Sequence, residues 1–143
     1  MDPRFDAEVN ALALGILRQY HNEIKRQTVT GENFHNVCHK RAPRLLADLQ
    51  SLGIRGTVIV INSIRDLTHE SNAFIHWHHV VLDDRLLVWD PNYTGAVPIP
   101  LQHYIDMAYL EPREKILVWK RGDDSQPIGR YDDGMLYLEH SPF

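Results

Sequence analysis

The chain of 143 residues is 43% hydrophobic and 24% charged, which is typical of one globular domain and not of a disordered chain or two packed domains. Fifteen Lys and Arg against nineteen Asp and Glu give a net charge of -4, which argues against a general nucleic-acid binder. The one cysteine, Cys38, excludes an intramolecular disulfide and a zinc ribbon. Nine histidines accompany it, so the functional question is which of them acts together with Cys38.

The N-terminal residues contain no basic stretch leading into an apolar core, so no Sec-type signal peptide is predicted. The longest apolar runs, 11–17 and 58–61, are far shorter than the roughly 20 residues that cross a bilayer. We therefore expect a cytoplasmic protein without a membrane partner, and delivery to another cell by a route other than Sec is compatible with the sequence.

Apolar residues recur every three or four positions in two N-terminal segments, the pattern of amphipathic helices. The first predicted helix covers Phe5–Gln27, and the second ends at Leu52, just before a glycine. Pro43 has no N–H and belongs in the first turn of a helix. If the second helix begins only at Ala42 or Pro43, Cys38 lies in the loop before it and feels less of the helix dipole.

The rest of the chain is predicted to form strands around one short helix. Apolar and β-branched runs predict strands at 56–62, 75–82, 86–89 and 115–120, and prolines 98 and 100 open a helix that ends near residue 108. Asp83-Asp84-Arg85 predicts a hairpin turn between the second and third strands. This order predicts an α+β fold with N-terminal helices packed on a mainly antiparallel sheet.

A single domain is expected over residues 1–121. From Gly122 onward the composition becomes polar, so residues 122–143 are predicted to be a loosely attached C-terminal arm of the same domain.

Three groups that can act together in catalysis fall at the ends of predicted elements. Cys38 stands at the start of the second helix, the run His76-Trp77-His78-His79 leads into a strand, and Asp90 closes the next strand. A cysteine attacks as its thiolate, which a helix N-terminus and a nearby imidazolium stabilise. The histidine holds the proton and later donates it to a departing amine, while a carboxylate orients the ring. The order predicts Cys38 as nucleophile and Asp90 as the residue that orients the base.

Hairpin register selects between His78 and His79 as the base. Neighbouring strand residues face opposite sides of a sheet, so one of the two, not both, is expected to point at a given site. If Asp84 and Arg85 form a two-residue turn, His79 lies opposite Asp90, whereas a three-residue turn places His78 there. Two-residue turns are the commoner kind, so we predict His79 as the base and keep His78 as the alternative.

Two further assignments come from the residues on either side of Cys38. Asn36 or Asn33 is the expected side-chain donor to an oxyanion, together with the backbone N–H of Cys38. The basic residues that follow are expected to form the solvated face of the second helix. They are His39, Lys40, Arg41 and Arg44.

Residues 33–93 resemble a known family. The segments that carry the resemblance are Asn36-Val37-Cys38-His39, which opens a leucine-rich helix, His79-Val80-Val81-Leu82, and Val88-Trp89-Asp90-Pro91. They resemble the transglutaminase-like and papain-like cysteine hydrolase superfamily, whose members use a Cys, His, Asp triad in this chain order. The resemblance implies that fold, with Cys38 as nucleophile, His79 as base and Asp90 as orienting residue.

The same resemblance suggests a substrate class. The segments around His79 and Asp90 look like those of small glutamine-directed members, including N-terminal glutamine amidases and bacterial effector deamidases. The implied function is thiol-dependent amide hydrolysis or acyl transfer through a thioester, acting on a glutamine side chain, or on a peptide bond in a peptidase. The expected partner is a protein or peptide substrate, and no cofactor or metal is predicted. The segment between His79 and Asp90 is shorter than in large transglutaminases, and His39 replaces the aromatic residue that often follows the cysteine.

A metal-binding module is one alternative, because imidazole and thiolate are ligands of zinc and other transition metals. The spacing of the available ligands matches no standard zinc motif. These ligands are His35, Cys38, His39, His76 and His78.

A non-catalytic interaction domain with the same fold is the other alternative. Its surface anchors would be Trp77, Trp89 and Tyr93. Trp89 lies within an apolar strand, however, and is expected in the core.

Overall fold

The computed structural model describes residues 3–30, 38–63, 78–91, 97–109, 112–123 and 125–143. In these ranges the helices and strands follow in the order α1 Pro3–Thr30, α2 Cys38–Ser51, β1 Gly56–Ser63, β2 His78–Asp83, β3 Leu87–Trp89, β4 Ile99–Pro100, α3 Leu101–Ala108, β5 Ile116–Lys120, β6 Gly129–Asp132 and β7 Met135–Leu138. None of the helices in these ranges has the length and apolar character needed to cross a membrane.

The seven strands of the described ranges form one sheet in the order β4-β3-β2-β1-β5-β6-β7, and each neighbouring pair is antiparallel. Helices and an antiparallel sheet together confirm the predicted α+β class. The central strand β1 is buried on both faces, because Val58 and Ile59, which point to opposite sides, are 4% and 0% exposed. This position explains its unbroken apolar sequence.

The two faces of the sheet carry separate hydrophobic clusters. Helices α1 and α2 cover one face, where Leu17, Leu45 and Trp89 pack around Val58 and Val81. Helix α3 covers the other face, and the cluster there contains Ile59, Ile61, Val80, Leu82 and Tyr104. Alternate residues of β1 and β2 therefore face different helices, so the position of a residue in β2 decides which helical layer it meets.

Helix α2 begins at Cys38, which agrees with the expectation that Cys38 stands at the start of the second helix. Pro43 lies inside the helix and not in its first turn, so the alternative in which the helix begins only at Ala42 or Pro43 is wrong. Among the basic residues predicted to be solvated, Arg41 is 7% exposed, which is a second correction. The other three are exposed as predicted. Arg41 is buried because it lies on the face of α2 that packs on the sheet, beside Ala42 and Leu45.

The turn between β2 and β3 contains three residues. Val81 pairs with Trp89 and Leu82 with Val88, so the strands are joined by residues 84–86, and Leu86 has the positive φ of 64° that such turns use. The predicted two-residue turn is therefore wrong. The reason is Asp83, which is fully buried and accepts hydrogen bonds from the backbone N–H groups of Arg85 and Leu87 at 2.8 and 3.0 Å.

The C-terminal segment belongs to the sheet. Strands β6 and β7 form a hairpin that pairs with β5, and Ile128 and Tyr131 are 4% and 8% exposed within the cluster under α3. The prediction of a loosely attached arm is therefore wrong for this hairpin. Its turn is Asp133-Gly134, whose φ angles of 50° and 76° are the positive values that a tight hairpin turn requires.

Candidate active site

Cys38, His78 and Asp90 come together at the start of β2. Cys38 is the first residue of α2, His78 is the first residue of β2, and Asp90 follows the last residue of β3. His78 Nε2 donates to Asp90 Oδ2 at 2.8 Å, and the ring of His78 also hydrogen-bonds the sulfur of Cys38. The three side chains form one chain of contacts from thiol to carboxylate.

His79 contacts the same thiol from a second direction. Its Nδ1 lies 3.9 Å from Cys38 Sγ, and its backbone group also hydrogen-bonds the sulfur. The expectation that one histidine and not both approaches the site is therefore wrong. The sulfur lies beside the first residues of β2, where it contacts groups from two successive positions.

The predicted pairing of His79 with Asp90 is also wrong. Extending the observed register by one residue places Asp90 across from Val80, on the face that His78 shares and that His79 does not. The carboxylate therefore meets His78, which the sequence offered as the alternative base.

The charges of Cys38 and His78 stabilise each other. Burial raises the pKa of the Cys38 thiol, but hydrogen bonds from His78 and His79 outweigh this effect and lower that pKa to about 5. Burial lowers the pKa of His78, but its hydrogen bonds to Asp90 and Cys38 outweigh burial and raise that pKa to about 10. Between these two values the pair exists as thiolate and imidazolium. The N-terminal end of α2 adds to the field that favours the thiolate.

Asp90 is held from several elements. It is 3% exposed, and its Oδ2 also accepts a hydrogen bond from the hydroxyl of Tyr104 on α3 at 2.5 Å. The next residue, Pro91, accepts a hydrogen bond through its carbonyl from His21 Nδ1 of α1 at 2.7 Å. Sequence reasoning missed Tyr104, and no local pattern marks it, because its role depends on where α3 packs.

Arg41 is a buried cation beside the thiol. It follows Cys38 by three residues in α2, and it lines a narrow crevice together with Cys38 and His79. Burial lowers its pKa, while the negative charges of Glu23, Asp90 and Cys38 act in the opposite direction. The spacing of Cys38 and Arg41 in the sequence could have predicted that the two lie close together, because residues three apart share one face of a helix.

Several predicted residues lie outside the described ranges. These are Asn33, Asn36, His35, His76, Trp77 and Tyr93. Trp89 is described, and at 2% exposure it lies in the core as expected. Within the ranges that the structure describes, no group of three or more His, Cys, Asp or Glu residues is arranged to hold a metal ion.

Asn62 is a buried amide that sequence reasoning did not single out. It is 0% exposed, and its Oδ1 accepts a hydrogen bond from Trp119 Nε1 at 2.8 Å. Its Nδ2 has no hydrogen-bond partner within the described part of the chain. Asn62 follows Val60 by two residues, and Val60 pairs with His79, so the two polar side chains lie on the same face of the sheet.

No protein-family model, curated protein or solved structure matches this chain. A function is therefore inferred from the geometry of the site.

Proposed function

We propose that the protein is a cysteine-dependent amidohydrolase or acyltransferase of the transglutaminase-like and papain-like class. Cys38 is the nucleophile, His78 the general base and acid, and Asp90 the residue that orients His78. The observation that carries the proposal is the contact chain from Cys38 through His78 to Asp90, in which His78 Nε2 lies 2.8 Å from the carboxylate. A thiol beside an oriented imidazole is the arrangement that nucleophilic acyl transfer requires.

The reaction begins with attack of the Cys38 thiolate on the carbonyl carbon of an amide. A C–S bond forms, and the carbonyl oxygen becomes an oxyanion, for which the backbone N–H of Cys38, the first residue of α2, is the proposed donor. The C–N bond then breaks, and the proton of the His78 imidazolium passes to the departing ammonia or amine. The product of this half-reaction is a thioester on Cys38 and a neutral His78.

The second half-reaction releases the acyl group. His78 takes a proton from water or from a second amine, which attacks the thioester carbon. The new C–O or C–N bond forms as the C–S bond breaks, and the thiolate and imidazolium are restored. Asp90 keeps its charge throughout and stabilises the imidazolium each time it forms.

The proposed substrate is an amide of a protein or peptide in the cytoplasm, with the glutamine side chain as the first choice. The support for glutamine is the resemblance of residues 33–93 to small glutamine-directed members of the class. A peptidase acting on backbone amides uses the same two half-reactions, and the products distinguish the two.

The test is intact-mass measurement of glutamine-containing proteins and peptides after incubation with the wild-type protein or Cys38→Ser. We expect a mass gain equal to replacing an amide NH₂ by OH, or an amine adduct when a primary amine is supplied. An acid quench should also trap an acyl adduct on the wild-type chain that hydroxylamine removes. Lys40→Ala is the matched control, because it changes an exposed residue of the same helix turn as Cys38. Equal product formation by Cys38→Ser would contradict the proposal.

A further inference from the structure

Two hydrogen bonds converge on one oxygen of Asp90. His78 Nε2 lies 2.8 Å and the Tyr104 hydroxyl 2.5 Å from Asp90 Oδ2. Tyr104 is 0% exposed and Asp90 3% exposed, so bulk water does not compete for this carboxylate. A hydrogen bond from a neutral donor to an ionised acceptor in such surroundings is strong and directional.

We propose that Tyr104 is a positioning residue, whose hydroxyl holds the Asp90 carboxylate in the orientation that meets His78. The inference rests on the proposed function, in which His78 is the base. Through Tyr104 and Asp90, helix α3, on the face of the sheet opposite α2, affects the strength of the Cys38–His78 ion pair.

The position of Asp90 brings its carboxylate between β2 and α3. Asp90 follows β3, one residue beyond the last pair of the β2–β3 ladder, and its Oδ2 meets two donors, His78 Nε2 and the Tyr104 hydroxyl. Tyr104 lies in a buried segment of α3 next to Ile105, also 0% exposed, which gives its hydroxyl a fixed place. A carboxylate that turned away from His78 would leave the imidazolium without its main partner.

Other groups also surround the pair, and the Tyr104→Phe change leaves them in place. Arg41 of α2 and Cys38 act on each other by charge, Glu23 of α1 acts on Arg41, and His79 of β2 contacts the sulfur.

The chain supplies two matched controls, because two other buried tyrosines also donate to an aspartate. Tyr20 donates to Asp48 at 2.6 Å between α1 and α2, and Tyr131 donates to Asp106 of α3 at 3.3 Å. The three pairs share the same chemistry, but the carboxylate of the Tyr104 pair is the one that His78 contacts. A Tyr→Phe change at each position removes one hydroxyl and keeps the ring.

The experiment is the pH dependence of Cys38 alkylation by iodoacetamide in the full chain, which needs no substrate. The free energy of one hydrogen bond to a charged group corresponds to a pKa shift of about one unit or more. We expect Tyr104→Phe to raise the midpoint of alkylation by about one pH unit. A less firmly held Asp90 stabilises the His78 imidazolium less, so the thiolate of Cys38 is stabilised less by its positive charge. Tyr20→Phe and Tyr131→Phe should leave the midpoint unchanged. In an Asp90→Asn background, Tyr104→Phe should add little further shift.

A conservative replacement distinguishes the loss of the Tyr104 hydroxyl from a disturbance of folding at this position. 3-Fluorotyrosine introduced at position 104 keeps both the ring and the donor, and we expect it to keep the wild-type midpoint. A low wild-type midpoint that Tyr104→Phe does not move would overturn this inference and leave the proposed function standing. Equal shifts in all three Tyr→Phe variants would also overturn it, because they would indicate general loosening. A wild-type midpoint at about pH 8.5, the value of an ordinary thiol, would overturn the proposed function itself.

Discussion

At the thiol of Cys38, burial and hydrogen bonding act on the pKa in opposite directions. Burial alone favours the neutral thiol, which is a poor nucleophile. His78 and His79 reverse this preference and lower the pKa to about 5. The charge of Cys38 therefore depends on its neighbours, and in the proposed mechanism the contacts that stabilise the thiolate also keep the His78 proton in place for the leaving group.

The pH dependence of turnover follows from the two pKa values. The rate should rise as pH increases through about 5, where Cys38 loses its proton, and fall as pH increases through about 10, where His78 loses the proton it must donate. Asp90→Asn removes the carboxylate that raises the His78 pKa, so the falling limb should move to lower pH. The measurement is kcat/KM against pH with a substrate found by mass analysis.

Asp106→Asn is the control for this prediction. Asp106 is an aspartate of α3, and it accepts hydrogen bonds from Arg113 and Tyr131 instead of from His78. Its replacement should leave both limbs in place. A falling limb that is the same in the wild type and in Asp90→Asn would contradict the role given to Asp90.

Much of this candidate site could be predicted from residue types and their order in the sequence. Cys38 and Asp90 were predicted from their positions at element ends, and the structure brings them together through one of the two histidines considered. The predicted pairing of His79 with Asp90 is wrong because it depended on the length of the turn. Tyr104 and the burial of Arg41 depend on packing between distant segments, which periodicity within one segment does not contain.

At the scale of elements, the β2–β3 hairpin shows how one turn residue changes the site. A turn of two residues pairs His79 with Asp90, whereas the observed turn of residues 84–86 places Asp90 on the face of His78. The sequence indicated a turn around Asp83, but the length depends on where the Asp83 side chain is bound. Because that side chain accepts hydrogen bonds from Arg85, Leu87 and Trp89, Asp83 ends the strand and caps the turn.

Asp83→Ala should therefore destabilise the fold strongly. It removes a fully buried acceptor and leaves two backbone N–H groups and the Trp89 Nε1–H without this partner, each at a cost of about 1 kcal/mol or more. We expect a loss of about 3 kcal/mol in the free energy of unfolding, measured by urea denaturation.

Asp84→Ala is the matched control in the same turn. Asp84 is exposed, so its replacement should change the free energy of unfolding by less than about 0.5 kcal/mol. Equal effects of the two substitutions would show that Asp83 does not cap the turn.

At the scale of the whole molecule, the C-terminal hairpin extends the sheet and completes the cluster under α3. Strand β6 alternates between buried and exposed residues, with Gly129 and Tyr131 inward and Arg130 and Asp132 outward. A strand buried on one face has a polar residue at every second position, so the segment looked like a polar arm. The alternation and the Asp133-Gly134 turn were the signals that could have identified the hairpin.

Ile128→Ala tests whether this segment belongs to the folded domain. Ile128 is 4% exposed in the cluster under α3, and its truncation should lower the free energy of unfolding by about 3 kcal/mol. Met135→Ala, at a side chain 51% exposed, should change it by less than about 0.5 kcal/mol. Urea denaturation of both variants gives the comparison, and a loosely attached arm would give small effects at both positions.

The fold class was predictable because it depends on apolar periodicity, which determines the α1 and α2 faces and the buried β1 strand. The α1, β1, β5 and α3 segments were placed close to their observed bounds for this reason. Residues that form the site are joined across α2, β2, β3 and α3, and their meeting point depends on register and packing. The sequence pattern of one element cannot specify that meeting point.

The central claim is that Cys38 and His78 form an ion pair, and the most direct test is the pH dependence of Cys38 alkylation in the wild type and in His78→Ala. We predict a wild-type midpoint at about pH 5 and a shift in His78→Ala toward about 8.5, the value of an ordinary thiol. His79→Ala, which removes the ring 3.9 Å from the sulfur and keeps the Asp90-bound imidazole, should shift the midpoint less. A wild-type midpoint at about pH 8.5, or one that His78→Ala leaves unchanged, would contradict the ion pair.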